Sequence, residues 1–355
     1  MSRFLSKRFD GLEEYVPGEQ PRDMKYVKLN TNESPYPPSP LVLKRVNSDE
    51  VKKLNLYPDP DCKSLRDKLA EFYGVLPENV FISNGSDEIL SFSFMAFCDG
   101  EKKIAFPDIS YGFYKVYGDL YGLDCTVIPL KDDFSIDVDE YCGINKNVVI
   151  ANPNAPTGMS VSLDDVEKIL RSNPDNIVII DEAYVDFGGT SCIPLIKKYD
   201  NLLVVRTYSK SRSMAGARLG FSIASKEITA DLNKIKYSTN PYNINRLTLI
   251  AGEAALDENH YYEDAANKII KTRTRLSNAL INAGFTVLPS DANFIFVRCP
   301  DMDGETLYLE LKKRGVLVRH FKTERIKDYL RISIGTDEQI DILLEKIFEI
   351  TGRKA

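Results

Sequence analysis

Apolar residues cluster in seven short runs, at 79–82, 103–106, 125–129, 148–152, 177–181, 202–207 and 219–224, each followed by a stretch with helical character. Runs that are apolar throughout, rather than alternating with polar residues, belong to strands covered on both faces. Their alternation with helices predicts an α/β fold, with a large domain whose mostly parallel seven-stranded sheet lies between helices. After about residue 240 the pattern changes. A long amphipathic helix is expected over 261–283, with shorter strands at 294–298 and 330–334, which together describe a smaller α+β domain. The last helix is announced by Thr336-Asp-Glu-Gln339, a capping-box spacing, and stopped by Gly352. The proline-rich tract from Ser34 to Pro40 reads as an extended connector. The expected division is an N-terminal arm, 1–35, packing with the small domain, a large domain, 36–245, and the small domain, 246–355.

Several runs end in residues suited to chemistry. Asn176-Ile-Val-Ile-Ile-Asp-Glu-Ala-Tyr184 delivers Asp181 at the carboxyl end of a strand, where ligands of open α/β sheets sit. An acid there can also simply cap a helix. The segment Arg206-Thr-Tyr-Ser-Lys-Ser-Arg-Ser-Met-Ala-Gly-Ala-Arg-Leu-Gly220 places Ser209 and Lys210 ahead of a second cation, Arg218. A lysine amine can bond an aldehyde carbon, and a hydroxyl with an arginine can hold a phosphate; on charge alone the segment equally fits a solvated loop. Gly85-Ser-Asp follows a strand and opens a helix, so the amides of Ser86 and Asp87 can face an anion, or can form an ordinary cap. The run from Val148 ends in Pro153, Pro156 and Gly158, loop punctuation when taken alone.

In this order and spacing the segments resemble the fold type I pyridoxal-phosphate aminotransferases and, within them, the histidinol-phosphate aminotransferases. The likeness spans nearly the whole chain, from Leu29-Asn-Thr-Asn-Glu-Ser-Pro35 through Leu56-Tyr-Pro58 and Phe106-Pro-Asp-Ile-Ser-Tyr-Gly-Phe-Tyr114 to Tyr329-Leu-Arg-Ile-Ser-Ile-Gly-Thr336. It implies pyridoxal phosphate as cofactor, with Lys210 bonding its aldehyde carbon and shuttling the substrate proton, and Asp181 holding the ring nitrogen protonated. Gly85, Ser86, Asp87, Ser209 and Arg218 would bind the phosphate, Tyr111 would cover the ring, and Tyr184 would reach its phenolic oxygen. The resemblance further implies that Tyr57 reaches the cofactor phosphate of a neighbouring subunit, making a homodimer. Arg331 would be the main substrate-anion receptor, with Arg319, Tyr15 and Asn32 nearby, serving a phosphorylated amine and a dicarboxylate in turn. One departure stands out: Ala155 replaces an asparagine that often bonds the phenolic oxygen, leaving Asn152, Asn154, or Tyr184 with water to take that part.

The implied reaction is transamination between L-histidinol phosphate and 2-oxoglutarate. An aromatic amino acid aminotransferase and a threonine-phosphate decarboxylase would use closely similar motifs. Composition narrows the alternatives outside this group. A net charge of −6 opposes nucleic-acid binding, and no Gly-x-Gly-x-x-Gly follows a strand as a nicotinamide dehydrogenase would require. The patch from Ile89 to Cys98 is too short and serine-rich to span a bilayer, and the first ten residues lack the apolar core of a signal peptide; a cytoplasmic enzyme is expected. Six scattered cysteines suggest neither disulfides nor zinc, and with His260 and His320 the only histidines no metal site is expected. His320 is expected to pack or hydrogen-bond near the site rather than act as a base.

Overall fold

The computed structural model describes residues 4–9 and 11–353; the expected outer domain limits at 1 and 355 lie outside the described residues. All seven apolar runs form strands of one sheet: β1 (Val80–Ser83), β2 (Ile104–Pro107), β3 (Cys125–Ile128), β4 (Asn147–Ala151), β5 (Val178–Asp181), β6 (Leu202–Thr207) and β7 (Gly220–Ala224). Their order is β1-β7-β6-β5-β4-β2-β3. Every residue of β4, β5 and β6 is buried, whereas the edge strand β3 exposes Val127. Central position, with helices on both faces, is the physical reason those runs are apolar without alternation.

Neighbours pair in parallel except at β7, which is antiparallel to both β6 and β1. Two reversals leave β1 running with β6, so the carboxyl ends of β1, β4, β5 and β6 lie on the same side of the sheet. The helix α1 (Gly85–Phe97) starts there, directly after β1. Gly220 opens β7 between Ser83 and Thr207, and a Cβ on it would fall 2.6 Å from the Ser86 nitrogen. Only glycine lets this loop lie so close to the start of α1.

The C-terminal region forms a four-stranded antiparallel sheet of β8 (Thr286–Val287), β9 (Phe294–Arg298), β10 (Arg319–His320) and β11 (Tyr329–Ser333), in the order β10-β11-β9-β8. The arm docks on this region: Val27–Lys28 pairs in parallel with Val316–Leu317, and Leu29 enters its core. The final helix, Asp337–Thr351, has the reciprocal Thr336 and Gln339 cap and ends at Gly352 with φ 67°.

Helix Arg246–Asp257, assigned from sequence to the C-terminal unit, packs instead against Pro40–Arg45 and Lys63–Tyr73 and gives Leu249, Ala254 and Ala255 to the core of the large sheet. The next helix, Asn259–Asn282, carries Tyr262 in that core and Ile269, Leu276 and Leu280 in the other. Helical periodicity marks an apolar face but does not say which core the face meets. Among the described residues no helix is long and apolar enough to cross a membrane.

Candidate active site

A cavity of about 210 Å³ opens at the carboxyl ends of the strands. Ala151, Asp181 and Thr207, the last residues of β4, β5 and β6, line it, and Ser209 and Lys210 follow just beyond β6. Three consecutive sheet neighbours thus place an acid and an amine in one enclosure. Lys210 Nζ lies 3.5 Å from the Thr31 carbonyl oxygen, and 5.6 Å from the centre of the Tyr184 ring.

Asp181 is 4% exposed, accepting the Tyr114 hydroxyl at 3.1 Å on Oδ2 and the Ala183 amide at 3.2 Å on Oδ1. Burial raises its carboxyl to about 6, against the lowering effect of those two donors. Sequence reasoning missed Tyr114. Its signal was its place three residues after Tyr111 in the same motif; the two rings meet edge-on at 5.7 Å, Tyr111 just before the helix Phe113–Tyr121 and Tyr114 within it.

The opposite end of the cavity gathers hydrogen-bond donors. Among the described residues, no acceptor takes the amides of Ser86 and Asp87 in the first turn of α1. Arg218, held in the left-handed region at φ 53°, reaches across with Nη2 2.9 Å from Asp87 Oδ2 and Nη1 3.5 Å from Ser209 Oγ. A side chain on Gly85 would collide with that guanidinium, 2.6 Å from Nη2. Asp87 Oδ1 accepts the Tyr111 hydroxyl at 2.7 Å, so Asp87 orients both Arg218 and Tyr111. Burial, with Asp87 alongside, pushes the Tyr111 hydroxyl far above its ordinary pKa, so it stays a donor.

Behind the cavity, Arg206 bridges Glu182 at 2.9 Å and Asp186 at 2.5 Å, and Asp186 accepts the hydroxyl of Ser211. This network, with Glu182 and Arg206 buried and Asp186 at the surface, fixes the residue following Lys210, and in the sequence its members look like ordinary charges.

Outside the cavity lies a groove of about 640 Å³, sharing Thr31, Tyr111, Tyr184 and Lys210 with it and lined further by Tyr15, Asn32, Arg319 and Arg331. Arg331 lies over the rings of Phe294 and Phe321, donates one bond to the Asn30 carbonyl at 3.1 Å, and has an Nε without a partner. Burial lowers its pKa, with the Tyr184 and Tyr15 hydroxyls opposing. Arg319 donates to the carbonyls of Pro17 and Val16 at 3.2 and 3.0 Å, clasping the arm. Tyr15 stacks on Phe113 at 4.2 Å and lies 6.2 Å from Tyr111. Asn32 donates to the Tyr184 hydroxyl at 3.1 Å.

Asn154, Tyr57 and His320 line neither space; the first was expected at the cofactor, the second at a neighbouring subunit's cofactor, and the third only to pack or hydrogen-bond nearby. Asn154 lines neither space: its side chain ties Ser110, Ile109 and Thr157 together at 2.7 to 3.1 Å. Tyr57 is 79% exposed and stacks on Tyr242 at 4.5 Å, away from the cavity. His320 stacks on Tyr308 and sits 2.7 Å from the Lys327 carbonyl oxygen, lining neither space. The six cysteines are free, four of them buried, and among the described residues no cluster of metal-ligating groups occurs.

An amine, a buried carboxylate and an amide-lined anion end within one small cavity fit an aldehyde-bearing ring nitrogen heterocycle with a phosphate tail. Residues 24–347 match the model of the aminotransferase class I and II family. The histidinol-phosphate aminotransferase of Clostridium acetobutylicum is 52% identical over 349 residues, covering 98% of this chain and 99% of that protein. That of Brachyspira hyodysenteriae is also 52% identical, over 98% of each. A solved histidinol-phosphate aminotransferase chain from Clostridium acetobutylicum, more distant at 26% identity, superposes with a TM-score of 0.84 over 92% of this chain and 99% of its own. With the family model matched over residues 24–347 and relatives 52% identical over 98% of its length, the chain belongs to the class I and II aminotransferases.

Proposed function

We propose that this enzyme transfers an amino group between L-histidinol phosphate and 2-oxoglutarate, giving imidazole-acetol phosphate and glutamate, as a step of histidine biosynthesis with pyridoxal phosphate as cofactor. The observation that carries the reading is the shared cavity of Asp181 and Lys210, closed at one end by α1 and Arg218 and opening at the other onto Arg331. Bound pyridoxal phosphate supplies an electron sink for the pair left when the substrate's Cα–H bond breaks.

The chain's own residues do the rest. The Ser86 and Asp87 amides, Ser209 and Arg218 hold the phosphate, with the dipole of α1 behind it. The Asp181 carboxylate holds a proton on the ring nitrogen. Lys210 Nζ would take the proton from the substrate's Cα and deliver it to the former aldehyde carbon of the cofactor. Tyr111 covers the ring, and Tyr184 donates at the phenolic oxygen. The Arg331 fork, with a free Nε, meets the phosphate of one substrate and the distal carboxylate of the other, two anions of similar geometry. Arg319 holds the arm, and with it Tyr15 and Asn32, over the groove. We further propose a cytoplasmic homodimer in which exposed Tyr57 reaches the neighbouring subunit's cofactor phosphate.

The test is an absorbance spectrum after incubation with pyridoxal phosphate, followed by turnover of histidinol phosphate, phenylalanine and threonine phosphate. A visible band that is lost in Lys210→Ala, with turnover reduced about 10⁴-fold and clear preference for histidinol phosphate, is expected. No band, or preference for either of the other two substrates, overturns the reading.

A further inference from the structure

Beside Ala155 the cavity wall offers only a methyl group, and the neighbouring amides do not reach in. Asn152 is closed on Val161, accepting its amide at 2.9 Å and donating to its carbonyl at 3.1 Å, and Asn154 is bound to Ser110, Ile109 and Thr157. The Tyr184 hydroxyl is therefore the polar group left at this wall, and which way its single proton points decides what it can do.

Asn32 settles that direction. Its Nδ2 donates to the Tyr184 oxygen at 3.1 Å, so the hydroxyl acts there as acceptor and its own proton is free to turn elsewhere. Asn32 is itself fixed on every side. Its backbone amide donates to Ser333 Oγ at 2.8 Å, its Oδ1 accepts the Ser333 hydroxyl at 2.8 Å, and its carbonyl accepts Asn293 Nδ2 at 3.0 Å. It is 1% exposed, with φ 55°, a left-handed conformation that asparagine tolerates better than most residues. Ser333 ends β11 opposite Phe294 of β9, so the anchor belongs to the C-terminal sheet.

Resting on the cofactor assignment above, we infer that Asn32 is a positioning residue: by donating to Tyr184 it turns the Tyr184 proton into the cavity, toward the phenolic oxygen of bound pyridoxal phosphate. The chain Ser333, Asn32, Tyr184 then does from the arm what an asparagine at 155 would do from the loop. It also makes arm docking a condition for the cofactor's electronic state, because Asn32 lies on the arm and its anchor on the C-terminal sheet.

A pH titration of the visible band of bound pyridoxal phosphate tests this without reference to turnover. A donor at the phenolic oxygen favours its anion, so its loss moves the midpoint upward. Asn32→Ala is expected to raise the midpoint by up to about one pH unit, the scale of one neutral hydrogen bond. Tyr184→Phe is expected to raise it at least as far, and adding Asn32→Ala to Tyr184→Phe to change nothing more. Ser333→Ala, which leaves the backbone of the arm intact, is expected to give a smaller upward shift and serves if Asn32→Ala folds poorly. An unshifted midpoint in Asn32→Ala, or an equal further shift from Asn32→Ala in the Tyr184→Phe background, overturns the relay. A wild-type protein with no band overturns the cofactor assignment and the relay with it.

Discussion

Asp181 and Arg331 are both charged side chains on sheet strands, one buried and the other half-buried along an open groove, and their surroundings differ in kind. Asp181 ends a central strand of seven, and both its oxygens are occupied, by a hydroxyl and an amide that belong to the same large unit. Arg331 sits on a strand of the smaller sheet, is held by one bond to the arm, and leaves Nε unpartnered. The inner cavity is thus organised before anything binds, its geometry set by strand ends that cannot move independently. The outer groove is bounded by an arm held through a short parallel pair, the clasp of Arg319 and the bonds of Asn32, and in it Arg331 Nε has no partner. An enzyme with one cofactor and two unlike substrates needs a fixed chemical end and an adaptable recognition end.

The contrast can be broken first at Asp181. Asp181→Asn keeps the shape but removes the charge, and kcat is expected to fall about 10²- to 10³-fold with cofactor still bound, measured by steady-state kinetics and the visible band. The same variant reveals the cost of burying that carboxyl. Its folded pKa, about 6 without cofactor, lies above the value of an exposed aspartate, so its contribution to stability is fully present below pH 4 and is lost as pH rises through 6. Cofactor-free Asp181→Asn is therefore expected to be more stable than wild type at pH 7, by about 3 kcal/mol, and not below pH 4. Denaturant midpoints at the two pH values check the sign.

Arg331→Met should instead strike recognition. KM for the phosphorylated amine and for the dicarboxylate is expected to rise about 10²-fold each, with kcat changed far less. Equal losses in kcat and kcat/KM would place Arg331 in the chemistry and erase the distinction between the two regions. Arg319→Gln loosens the arm rather than removing the main receptor, so a rise of about tenfold in KM for both substrates is expected, with faster proteolysis of the arm as a second readout. Tyr114→Phe removes one of two hydrogen bonds to Asp181, and kcat is expected to fall only about three- to tenfold.

Much of the inner cavity was legible in the sequence because its residues sit at the ends of apolar runs. Asp181, Lys210 and the start of α1 each follow a strand by zero to three residues, and strand ends sharing one sheet edge must converge. The boundary at 246 and the fate of Asn154 were not legible. A helical face carries no address, and an asparagine in a turn can face a ligand or satisfy the turn; Asn154 does the latter, bound to three groups of its own and the neighbouring loop. Tyr114 and the Glu182, Arg206 and Asp186 network were hidden because such residues are recognised by their partners, which lie 20 to 67 positions away in sequence.

The sequence alone determined the strands, the mostly parallel character of their sheet, the caps of the last helix and the lysine, acid and glycine turn that name the chemistry, because each depends on periodicity or on residues a few positions apart. Only the tertiary structure decided that Asn32 meets Tyr184 and Ser333, that Arg319 clasps the arm while Arg331 keeps a free donor, and that Arg246–Asp257 joins the larger core. Those are contacts between segments up to about 300 residues apart, set by how the sheets and the arm close on one another rather than by any local preference.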